Sequence, residues 1–129
     1  MKKVLAIAFS FMTTFLSAQV NYTYGDGNAN TYTINEKLIT YEGVVKENSS
    51  SGVYDGGKSK SKALSGADFE KIEKLFNEVF AAKSEQQDER SMMTGLLIHK
   101  KGKKTIHQVV IKPNSPYIGK IEALLKSLL

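Results

Sequence analysis

Apolar and polar positions change period several times along the chain. Val20, Tyr22 and Tyr24 alternate with polar residues up to the turn-forming run Gly25-Asp26-Gly27-Asn28, and β-type residues resume over 31–34. This spacing predicts a hairpin. Residues 38–45 (LITYEGVV) are rich in β-branched and aromatic side chains and predict a third strand, reached through Asn35-Glu36-Lys37. Residues 48–66 (NSSSGVYDGGKSKSKALSG) lose the alternation altogether; they predict a long Ser/Gly/Lys loop with at most one short extended piece, and only Val53-Tyr54 is able to anchor it.

The period then lengthens. Phe69, Ile72, Leu75, Phe76, Val79 and Phe80 recur every three or four residues, drawing one apolar stripe along a helix that ends near Lys83. Ser65 is its expected N-cap, with Asp68 three residues on and Leu64 and Phe69 in staple positions. A polar connection over 84–91 leads to a second hairpin over 94–112, with Lys101-Gly102 near its tip and Pro113 ending its second strand. Ser115 and Pro116 then open a last helix whose apolar face carries Tyr117, Ile118, Ile121, Leu124, Leu125 and Leu128. The order βββ-α-ββ-α predicts an α+β two-layer sandwich: an antiparallel sheet of about five strands, the second hairpin placed centrally, and two helices on one face.

Residues 1–18 follow a different rule. Lys2 and Lys3 precede an uncharged apolar stretch over 4–16 and the small residues Ser17-Ala18, the pattern of a secretory signal peptide cleaved before Gln19. Thirteen residues rise only about 20 Å as a helix, too little for a hydrocarbon core of roughly 30 Å. The expectation is an exported protein, periplasmic or secreted, with one domain over 19–129 and no transmembrane span. Without Lys2 and Lys3 the formal charge of +5 falls to +3, sixteen Lys and Arg against thirteen acids. Arg90 is the sole arginine, which argues against a nucleic-acid partner. The absence of cysteine excludes disulfides, thiolate zinc sites and thiol nucleophiles.

Several motifs imitate chemistry. Residues 52–59 (GVYDGGKS) match the phosphate-loop pattern, but that pattern requires a strand before it and a helix starting at the Lys-Ser, and neither is expected here. His99 and His107 stand on opposite arms of the second hairpin and share a face only if its register is even. No third ligand accompanies them, so no metal site and no cofactor are expected. Ser49, Ser50, Ser51, Asp55 and the histidines supply the residue types of a hydrolase triad without its spacing, and Glu42 and Glu47 make a weak carboxylate pair in a chain with no tryptophan. No catalytic residue is assigned. Lys58, Lys60 and Lys62 would form a basic patch with Lys100, Lys101, Lys103 and Lys104 only if the two groups meet; singly they keep loop and hairpin soluble. Tyr22, Tyr24 and Tyr32 are expected in strand packing, with lining of the open sheet face as the alternative.

The segment ITYEGVVKENSSSGVYDGG, followed by a lysine-rich stretch and an amphipathic helix, resembles small exported bacterial proteins of uncharacterised function with a serine run, an aromatic and a double glycine at this place. The resemblance implies a secreted single domain and transfers no activity. The expected function is therefore binding: an inhibitor or immunity-type module for another exported or envelope protein, with Ser50, Ser51, Tyr54 and Asp55 as its candidate surface. A carrier or sensor of a small ligand in the periplasm is the alternative.

Overall fold

The computed structural model describes residues 19–49 and 51–129. Residues 1–18, read from the sequence as a signal peptide, and Ser50 lie outside the described residues. The chain forms β1 (Val20–Gly25), β2 (Thr31–Asn35), β3 (Leu38–Glu42), β4 (Lys60–Ala63), α1 (Gly66–Ala81), β5 (Gln86–Gln87), β6 (Gly95–Lys101), β7 (Lys104–Ile111) and α2 (Pro116–Ser127). The sheet is antiparallel throughout, in the order β4-β3-β2-β1-β6-β7-β5. This is the expected α+β architecture with seven strands where about five were expected.

Both additional strands are edges. β4 lies within the segment read as loop, pairing Lys60 with Tyr41 and Ala63 with Leu38. All four of its residues are exposed, so no apolar alternation marks it. β5 is two residues long and borders β7. The Gln86 side-chain amide donates to the carbonyls of Val79 (2.8 Å) and Phe80 (3.2 Å) in the last turn of α1, where the Val79 carbonyl also accepts from the Ala82 amide. α1 accordingly stops at Ala81, short of Lys83, which belongs to a 3-10 turn. The second hairpin is also less central than expected: the middle strand is β1, and β6 and β7 lie toward the β5 edge.

The helix caps follow the sequence. Ser65 Oγ accepts from the Asp68 amide at 3.1 Å, and Ser115 Oγ from the Tyr117 amide at 3.2 Å. Phe69, Ile72, Phe76, Val79 and Phe80 of α1 and Ile121 and Leu125 of α2 are buried against Ile34, Ile39, Leu97 and Ile111 of the sheet. Each large apolar side chain contributes about 1.5–3 kcal/mol by leaving water.

Tyrosine joins the layers. Tyr22 Oη donates to Glu73 of α1 at 3.0 Å and Tyr24 Oη to Glu122 of α2 at 3.1 Å. Residues 22 and 24 point to the same face of β1, so both helices cover that face. Tyr22, Tyr24 and Tyr32 are at most 1 % exposed, which corrects the alternative that they line the open side. Burial beside these carboxylates raises the pKa of Tyr22 and Tyr24, and both remain neutral donors. The uncovered face instead carries a cross-strand row of Ser61, Thr40, Thr33 and Thr23. No helix of the described residues is long and apolar enough to cross a membrane.

Candidate binding surface at the loop end of the sheet

The turn after β1 is organised by one carboxylate. Asp26 Oδ1 accepts from the amides of Asn28 (2.8 Å) and Asn30 (2.9 Å), while Oδ2 accepts from the Asn30 side chain at 2.9 Å. Asp26 and Asn30 are both buried. Asn30 then reaches across to the loop that follows β3: its Oδ1 accepts from the Val44 amide at 2.9 Å, and its Nδ2 donates to Tyr54 Oη at 3.0 Å. A buried Asp-Asn pair thus ties residues 44 and 54 to the β1–β2 turn, so the long connection is fixed rather than merely tethered at its ends.

The stem of that connection is closed by backbone. The Gly56 amide donates to the Val44 carbonyl at 2.9 Å, and Tyr41 Oη donates to the Gly56 carbonyl. A Cβ on Gly43 would lie 2.5 Å from the Gly57 carbonyl oxygen, and one on Gly56 would lie 2.7 Å from Gly43 Cα. Only glycine permits this approach.

Residues 88–94 flank the same turn from the other side. Arg90 Nη2 donates to the carbonyls of Asp26 (3.3 Å) and Thr94 (3.0 Å). Among the described residues no carboxylate lies within 4.0 Å of its guanidinium. Ala29 and Met93 hold left-handed backbone, with φ of 67° and 63°. Such residues cost of order 1 kcal/mol or more each and collect at functional sites. Between these segments lies a cleft of about 500 Å³ lined by Asn28, Ser49, Ser51, Tyr54 and Arg90 around the Asp26 turn. Its surroundings are apolar and wet: Met92 is 88 % exposed and Val53 73 %, with Met93 and Val45 also exposed.

Of the residues expected to form a surface, Ser51 and Tyr54 line the cleft. Ser51 Oγ also accepts from the amides of Val53 and Tyr54, both at 3.3 Å, which shapes the loop. Asp55 caps the Gly57 amide at 2.7 Å and faces the stem, and Ser50 lies outside the described residues. The sequence reading missed Asp26, Asn30, Arg90 and Met92-Met93. The adjacent methionines in a polar connection were the available signal; the Asn30 and Arg90 contacts depend on topology.

The other motifs resolve differently. After Lys58-Ser59 comes the edge strand β4, so the helix that a phosphate loop requires is missing from that place. The register of the second hairpin is even: His99 pairs with His107, and their rings stack at 5.8 Å between centroids. They form a row with Tyr22 and Phe80, with Tyr22 to His99 at 4.7 Å and Phe80 to His107 at 4.9 Å. No cluster of three or more His, Cys, Asp or Glu suited to a metal occurs among the described residues. Burial and neighbouring His107 lower the pKa of His99, whose Nδ1 is buried without a hydrogen-bond partner. The two lysine groups do not meet. β4 is separated from β6 by β3, β2 and β1, about 19 Å at the usual strand spacing. No family model matches the chain, and neither a curated protein nor a solved structure matches it.

Proposed function

We propose that this chain is an exported protein-binding module, of the inhibitor or immunity kind and without catalysis of its own, whose recognition surface is the loop end of the sheet. One observation carries the reading: an arginine with no carboxylate partner among the described residues stands beside exposed methionine, valine and tyrosine on loops pinned by buried hydrogen bonds. Arginine, tyrosine and methionine are enriched at interface centres, and a surface fixed beforehand loses little entropy on binding. The partner it fits is another exported or envelope protein that presents an apolar patch with a carboxylate for Arg90.

The test is capture by the immobilised chain from envelope extract, repeated with Met92→Ser/Val53→Ser and with Arg90→Ala. Both first-named side chains are in water, so their replacement leaves the fold intact. A stoichiometric partner held by the wild type and weakened at least about tenfold by each variant is expected. Retention of the same partner by all three proteins, or of none by the wild type, overturns the reading.

A further inference from the structure

A second concavity lies on the helix-covered side of β2 and β3, beneath the stem of the long loop. It has a volume of about 340 Å³ and is lined by Tyr32, Tyr41, Gly56–Gly57, Lys58, Lys60, Lys126 and Leu129. That is roughly twice the ~150 Å³ that holds benzene in an engineered cavity, and within the range of small-ligand sites.

Its polar groups are nearly all donors. Among the described residues neither Lys58 nor Lys60 has a carboxylate within 4.0 Å, and Lys126 has only Glu122, at 3.8 Å. Glu122 itself also receives the Tyr24 hydroxyl. The other acids near these tyrosines are already engaged, Asp55 by the Gly57 amide and Asp26 by the Asn28 and Asn30 amides and the Asn30 side chain. Both backbone amides of the wall are satisfied too, Gly56 by the Val44 carbonyl and Gly57 by Asp55.

Tyr32 is the informative group. Of the three buried tyrosines, Tyr22 and Tyr24 donate to glutamates on the helices, whereas the Tyr32 hydroxyl has no hydrogen-bond partner among the described residues. Tyr32 is 1 % exposed and lines the cavity. The hydroxyl is not sealed off, since among the described residues the buried side-chain atom without a partner is His99 Nδ1; the hydroxyl opens on the cavity, where an acceptor can receive it. Burial and the surrounding tyrosines and carboxylates push its pKa up to about 12, so the group arrives as a neutral donor. The remaining wall is ring and aliphatic surface: Tyr41, its hydroxyl spent on the Gly56 carbonyl, stands 4.9 Å from the Tyr32 ring, and Leu129 closes the opposite side.

We infer that this cavity binds a small aromatic acid, its carboxylate or phosphate held by Lys58, Lys60 and the Tyr32 hydroxyl and its ring against Tyr41 and Leu129. The inference does not depend on the protein-binding reading, since it concerns another face and other residues.

Titration calorimetry of the purified chain with 2-naphthoate and with phenyl phosphate, against benzylamine and inorganic phosphate, tests it. Saturable binding of at least one aromatic acid, stronger than that of either control, is expected. Tyr32→Phe keeps the ring in place and should weaken that binding about tenfold, the loss of one charge-assisted hydrogen bond. Lys58→Ala/Lys60→Ala alters only exposed side chains and should abolish it. Amide shifts on titration should centre on 56–60. Absence of saturable binding, equal binding of inorganic phosphate, or affinity unchanged in both variants would each overturn the inference.

Discussion

At one end of the sheet the strands reverse on two residues. Glu36-Lys37 joins β2 to β3, with Asn35 Oδ1 accepting from the Lys37 and Leu38 amides at 2.9 Å each, and Gly102-Lys103 joins β6 to β7, with Gly102 at φ 62°. At the opposite end the connections are longer, and backbone groups there are satisfied by side chains distant in sequence: Val44 by Asn30 and Asp26 by Arg90. The short turns expose lysine and take only backbone partners from elsewhere in the chain, the Gly102 amide donating to the Gln19 carbonyl at 2.8 Å and the Lys37 carbonyl accepting from the Leu64 amide at 2.9 Å. The long ones take buried polar groups and two left-handed non-glycine residues to hold methionine and valine in water. Stability alone favours the first arrangement. The second makes sense where a surface has to be held ready for something else.

The largest break in that contrast comes from Gly56→Ala. Its Cβ would sit 1.9 Å from Asn30 Oδ1 and 2.7 Å from Gly43 Cα, both fixed, so a loss of about 2–4 kcal/mol is expected in urea unfolding. Gly66→Ala at the start of α1, with nothing within 4 Å, is the control and should stabilise by about 0.5 kcal/mol.

A smaller effect concerns the core between the two ends. The pKa of His99 in the folded chain is depressed below the ordinary histidine value of about 6.5. The unfolded chain therefore binds more protons as pH falls through that value, and stability drops from there down to the folded pKa. Urea midpoints at pH 7.5 and 5.0 should differ more in the wild type than in His99→Phe, which keeps the ring stacked between Tyr22 and His107.

The smallest effect sharpens the comparison at the long-loop end. Ala29→Gly releases a left-handed residue at an exposed turn and should raise stability by about 0.5–1 kcal/mol in urea unfolding. A fall in stability would mean that Ala29 is not strained.

What the sequence made legible was local. Both helices, their serine caps, the β1–β3 meander and the β6–β7 hairpin follow from period, turn chemistry and β-branched runs. β4 escaped because an edge strand wet on both faces has no alternation to read, and β5 because two half-buried glutamines carry none either. Within the candidate surface, the Gly/Ser loop with Ser51 and Tyr54 could be picked out by composition. Arg90 could not, since its contact with Asp26 spans 64 residues and exists only once β1 lies beside β6. The tyrosine cavity was equally hidden: it needs α2 to return over β2 and β3 before Lys126 can approach Tyr32.

The central position of β1 also has a bearing on timing. The strand that opens the fold pairs Val20 with Lys101 and sends Tyr24 to Glu122, so its second neighbour and one of its two helix anchors come from the last third of the chain. A polypeptide emerging from the ribosome can build the first four strands as a meander, but it cannot close the middle of the sheet until about a hundred residues have been made. Until then the tyrosines of β1 have no complete covering. The domain cannot become compact before the residues through Glu122 have been made.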